Sequence, residues 1–197
     1  MDPYGNLTTS AELAGGRRIR LISYLDPDVA LGCFDSSDGA GWPRLGVHRL
    51  SSGDPDRTVF QTGRQPHFSE GDFYMIWTDE AGCVVSMEGD PDGCLTCIPI
   101  TGGNDGDPPY YPGFTADFVN GCWFALNDSL GIQVVDISES GTGEQNPVIA
   151  FKWNGGPNQI WRAQDVDFTP PAVSDDEAMQ QTQSAAGPGQ VSQTTAD

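Results

Sequence analysis

The stretch NGGPNQIWRAQD, from Asn154 to Asp165, sets two adjacent amides, Asn158 and Gln159, just ahead of an indole, Trp161. An amide both donates and accepts hydrogen bonds. Gln159 and Trp161 lie two residues apart, the spacing at which side chains share a face of a β-strand. This pattern marks the entry to a strand, with two amides either serving the fold or held out to a ligand.

The other reactive side chains suggest no catalysis. There are only two His, His48 and His67. No His-Glu-x-x-His, Gly-x-Ser-x-Gly or phosphate-binding glycine loop occurs. Cys94-Leu-Thr-Cys97 is a single Cys-x-x-Cys without a second pair, and positions three apart on a strand face opposite ways, so no zinc site is expected. The acidic stretches GDPDG (89–93) and GGNDGD (102–107) lack the spaced ligands and closing Glu of a calcium loop. The expectation is a protein that binds, with no metal or cofactor and no enzymatic reaction.

The formal charge is -19, from 28 acids against 9 bases. Such a surface repels polyanions, which argues against nucleic acid and anionic membranes as partners. No stretch has the length and apolarity to insert into a bilayer. With no apolar leader and an odd number of Cys (Cys33, Cys83, Cys94, Cys97, Cys122), reduced thiols and a cytoplasmic location are expected.

The elements that must position the amides are short. Gly and Pro, 25 and 15 of them, punctuate β-branched and aromatic runs, which reads as all-β. The runs recur at intervals of about fifty residues. RIRLISY (18–24), FYMIWTD (73–79) and CWFALND (122–128) each open a unit. ALGCFD, GCVVSM and IQVVDI follow, then RLGVHRL, CLTCIPI and VIAFKW, then RTVFQTG, TADFVN and NQIWRAQ. Three units of four strands predict a β-trefoil over residues 17–168, with repeats at about 17–71, 72–120 and 121–168. Residues 1–16 read as a loose N-terminal arm. Residues 169–197 contain no Lys, Arg, aromatic, Ile or Leu and read as a disordered acidic and polar tail. The insertion TGGNDGDPPYYPGF (101–114) reads as an exposed loop of the second unit.

GGPNQIW resembles the Gln-x-Trp (QxW) signature of ricin B-type β-trefoil lectins. The third unit, from Gly121 to Asp165, is similar to that family along its length, and fungal cytoplasmic members look like this chain. The first two units look like degenerate copies, with Thr58-Val59-Phe60 and Ala116-Asp117-Phe118 at the signature. A large ring once per unit is most simply core packing, so Trp161 is expected inside.

The resemblance implies carbohydrate binding at one site in the third repeat. Asp136 would accept bonds from two neighbouring sugar hydroxyls. Phe151, seven residues before Asn158, would lie against the apolar face of a pyranose. Ile149 would line the same pocket. Asn158 would bind a hydroxyl and Gln159 would brace Asp136. The segment before Asp136 is one residue longer than the common family spacing, and a slip of one residue would turn Asp136 to the other face. In the second unit Ser86 stands at the acid position, and Thr115-Ala116 at the amides. In the first, Asp35 is the candidate acid, Leu50 falls at the ring, and Arg57-Thr58 replace the amides. The expected partners are glycans, galactose-type among them. Self-association into a homo-oligomer would raise avidity. The alternative is a β-trefoil protease inhibitor acting through an exposed loop, either Tyr110-Tyr111 or the Asp26-Pro27-Asp28 turn.

Overall fold

Every apolar run named above contains a β-strand. The computed structural model describes residues 1–35, 42–52, 54–64, 72–77, 83–89, 94–99, 112–128 and 130–169. The strands are β1 (Arg18–Ser23), β2 (Val29–Phe34), β3 (Arg44–Arg49), β4 (Phe60–Arg64), β5 (Phe73–Trp77) and β6 (Cys83–Gly89). They continue as β7 (Leu95–Pro99), β8 (Phe114–Asn120), β9 (Trp123–Asp128), β10 (Val134–Ile137), β11 (Val148–Phe151) and β12 (Ile160–Asp165). The tail from residue 170, most of the 101–114 insertion with Tyr110 and Tyr111, and His67 lie outside the described residues.

The antiparallel ladders close on themselves. β1 pairs with β4, β4 with β5, β5 with β8, β8 with β9, β9 with β12, and β12 again with β1. A closed ring leaves no strand edge open. The remaining strands form three hairpins, β2–β3, β6–β7 and β10–β11. The hairpins meet one another through Arg44 opposite Thr96 and through bridges Gly46–Pro147 and Cys94–Ile149. This is the β-trefoil plan.

The ladder defines which residues are equivalent. Trp161 lies opposite Phe124 on one side and Ser23 on the other. Phe60 lies opposite Ile19 and Trp77, and Phe114 opposite Phe73 and Asp128. The rings at the equivalent position of the three repeats are therefore Phe60, Phe114 and Trp161, all fully buried. This corrects the expected Phe118, which lies four residues further along β8, only partly buried against Phe124. The insertion precedes β8 directly, so counting across it misplaced the register.

The N-terminal arm is also different from the expectation of a loose segment. Leu7 and Leu13 belong to the hydrophobic core. Asn6 bridges Gln164, and the Leu7 amide donates to the Ala163 carbonyl at 2.9 Å, extending the sheet beside β12. Thr9 caps a short helix, α1 (Ser10–Leu13), through the Glu12 amide. Two buried leucines supply the burial that offsets the ordering of the arm.

Candidate functional site

Site geometry starts from β10 and β11. Their register pairs Val134 with Phe151, Val135 with Ala150, Asp136 with Ile149 and Ile137 with Val148. Side chains alternate between faces. Val135, Ile137 and Val148 join the core, with Ala150 packed against it. Val134, Asp136, Ile149 and Phe151 therefore share the opposite, outer face. The turn before β10 contains Gly131, whose φ is +67°, and the ladder keeps Asp136 on the face of Ile149 and Phe151.

Asn158 and Gln159 reach Asp136 from the turn before β12. Pro157 starts a single 3₁₀ turn, Pro157–Gln159, and its fixed φ suits that first position. Asn158 Nδ2 donates to Asp136 Oδ1 at 2.8 Å, and Gln159 Nε2 donates to Asp136 Oδ2 at 2.6 Å. Each carboxylate oxygen is thus held by one amide. Trp161 Nε1 donates to the Val135 carbonyl at 3.0 Å, so the buried indole ties β12 to the residue before the acid. The indole belongs to the frame and is not offered to solvent.

The two amides are used unequally. Gln159 is fully buried and wholly engaged: Nε2 also donates to the Lys152 carbonyl at 3.0 Å, and Oε1 accepts from the Asn154 amide at 2.8 Å. Asn158 Nδ2 donates a second bond, to the Ile137 carbonyl at 3.2 Å. Both its N–H groups are then spent, leaving Oδ1 as the polar atom it has to offer. Asn158 therefore braces the acid as Gln159 does, a role sequence reasoning gave to Gln159 alone.

Asp136 is 3% exposed. Burial raises its carboxyl above the usual carboxylate range, and the bonds from Gln159 and Asn158 partly offset this. Phe151 beside it is 49% exposed and Ile149 half-buried. The result is a shallow outer surface with a recessed carboxylate, an amide oxygen and a bare ring. Its polar groups accept, so a ligand must bring the donors.

The same register shows what the other repeats place at these positions. In the first repeat Asp136, Ile149 and Phe151 correspond to Gly32, Gly46 and His48. This corrects two expectations. Asp35 lies beyond the end of β2, three residues past the acid position, and Leu50 lies two residues past the ring position. A Cβ on Gly32 would meet the Phe34 ring at 3.2 Å and His48 Cβ at 2.8 Å, and one on Gly46 would meet the same ring at 3.2 Å. The Phe34 ring thus fills the place. In the second repeat Ser86, Thr96 and Ile98 take those positions. Aligning Phe114 with Trp161 puts Tyr111-Pro112 at the amides, not Thr115-Ala116, with Tyr111 outside the described residues.

An open cavity of about 480 Å³ that sequence reasoning missed lies over the first repeat. Phe34, Asp35, His48, Asp54, Arg57 and Glu144 line it. Its buried imidazole already binds Glu144 at 2.7 Å, and Arg57 binds Asp54 at 2.9 Å. Those polar groups pair with each other. No local motif marks the place, since Glu144 arrives from the third repeat.

No family model matches the chain, and no curated protein matches it. Solved structures do. The designed three-fold symmetric protein ThreeFoil aligns with a TM-score of 0.55 and 16% identity, over 76% of this chain and 99% of that one. The Rhizoctonia solani agglutinin aligns at 0.57 and 13%, over 76% and 95%. The Polyporus squamosus lectin, solved with the human-type influenza-binding epitope Neu5Acα2-6Galβ1-4GlcNAc, aligns at 0.53 and 16%, over 77% of this chain and half of its own. At these identities the likeness is one of fold, and the chain is a β-trefoil protein.

Proposed function

We propose that this β-trefoil is a carbohydrate-binding lectin with one sugar site, on the outer face of the third repeat. The observation that carries the reading is the Asp136 carboxylate, held by two amides and set beside the exposed Phe151 ring. A braced carboxylate retains lone pairs for two neighbouring hydroxyls, and charged acceptors make the stronger bonds. The ring offers the apolar face of a pyranose a surface that takes nothing from its hydroxyls. That structures of this fold include an agglutinin and a lectin with a bound sialylated glycan supports the reading.

A shallow site of this size holds a monosaccharide at roughly millimolar strength, about -4 kcal/mol. Avidity would come from clustered glycans or from self-association of the chain. Galactose-type sugars are the first ligands to try. A glycan array probed with wild type, Asp136→Ala and Phe151→Ala tests the proposal. Retention by wild type, its loss in Asp136→Ala and a weakened signal in Phe151→Ala are expected; an array on which wild type retains nothing overturns it.

A second reading, a protease inhibitor, has one structural point in its favour. The Asp26-Pro27-Asp28 turn is held rigid, with Arg49 at 3.3 Å from Asp26 and 3.2 Å from Asp28, and with Ser51 donating to Asp28 at 2.6 Å. A stiff exposed turn is what a protease cleft accepts at low entropic cost. Inhibition of a serine or cysteine protease that disappears on replacing Asp26–Asp28 is the expected sign, and a panel without inhibition removes this reading.

A further inference from the structure

Resting on the carbohydrate-binding reading, we propose that Trp153 is a second platform of the same site, and that the ligand is an oligosaccharide of at least two residues. Trp153 is 43% exposed and Ile132 is 66% exposed. Large bare apolar groups in one patch mark a surface that meets a partner. Ile132 lies in the turn that leads into β10 and Trp153 just past the end of β11, so both stand at the same end of the β10–β11 ladder, next to its Val134–Phe151 pair.

Both residues sit on backbone that is held in place. Gln159 bonds the chain on either side of Trp153, at the Lys152 carbonyl and the Asn154 amide, with the same side chain that braces Asp136. Asn154 Oδ1 accepts from the Gly156 amide at 2.7 Å and closes the turn, where Gly155 has a φ of +75°. On the facing side Asp128 Oδ1 accepts from the Ile132 amide at 2.7 Å. Ordering exposed backbone costs entropy, and here it holds two apolar side chains toward water. One buried amide thus fixes both the acid and the position of the indole. Two residues of chain span at most about 7 Å, the scale of one sugar unit, so Phe151 at the end of β11 and Trp153 just beyond it suit consecutive residues of a glycan. With the formal charge at -19, a neutral glycan meets less repulsion than an acidic one.

The test titrates an array of mono-, di- and trisaccharides, galactose and lactose among them, with wild type and Trp153→Ala. Wild type should hold its best disaccharide about 2–10-fold more tightly than the matching monosaccharide, the range of one ring contact. Trp153→Ala should erase that difference while leaving monosaccharide binding and the thermal midpoint unchanged. An unchanged preference in the variant overturns the inference and spares the site. Loss of monosaccharide binding with the preference also overturns it. A wild-type dimer, seen by sedimentation and dispersed by Trp153→Ala, assigns the patch to self-association and overturns it as well. No retention of any glycan by wild type removes the underlying reading instead.

Discussion

The first and third repeats use one backbone ladder for opposite ends. In the third, the outer face of the hairpin carries Asp136, Ile149 and Phe151, and the surface stays open to solvent. In the first, the same positions are Gly32, Gly46 and His48. There the Phe34 ring lies over the two glycines, and the Arg57 guanidinium lies 5.8 Å from its centre. The core beneath is alike in both, with Phe60 and Trp161 at matching places. The contrast separates two layers of information. Inward residues build the trefoil, and the outward ones set what each repeat presents to solvent.

The largest effect should come from the shared layer. Trp161→Ala removes a fully buried ring and its bond to Val135, and should destabilise the fold by about 3–5 kcal/mol in chemical denaturation. Next is an attempt to turn the first repeat into the third. Gly32→Asp drives a side chain against His48 and Phe34, and should cost about 1–3 kcal/mol while creating no glycan binding. A stable variant with a second binding event would break the comparison. Smaller still is Phe151→Ala. The ring is exposed, so stability should change by less than about 0.5 kcal/mol. Sugar affinity should fall about 2–10-fold by calorimetry.

Acid sharpens the comparison from another side. The Asp136 carboxyl titrates above the usual carboxylate value because burial disfavours its charge. Between the unfolded and folded values the native state binds more protons, so this group's contribution to stability falls as pH rises through that window. Sugar binding at the proposed site should run the other way, because the acceptor there would be the ionised form. Affinity measured down a pH series should therefore begin to fail above the pH at which an ordinary Asp protonates, while the fold holds.

The strands were legible because each is a short apolar run between turn residues, and the threefold recurrence made closure the economical reading. The family resemblance singled out Asp136 and Phe151 and strand alternation added Ile149; the ladder places the three on one face. Phe114 was not, because the insertion before β8 leaves residue counting without an anchor, and only the ladder supplies one. Asp35 and Leu50 were misassigned because hairpin arms differ in length between repeats. Leu7 and Leu13 stand alone in a polar segment, where no periodicity marks a buried face. The double use of Asn158 depends on where one amide points, which residue type does not reveal.

Calorimetric titration of lactose and galactose into wild type and Asp136→Asn addresses the central claim most directly. The substitution keeps the size of the side chain and removes its charge and one acceptor oxygen, and circular dichroism reports whether the fold persists. A folded variant with binding reduced at least tenfold against a measurable wild-type affinity is the predicted result. Wild-type binding that the folded variant retains undiminished would contradict the account.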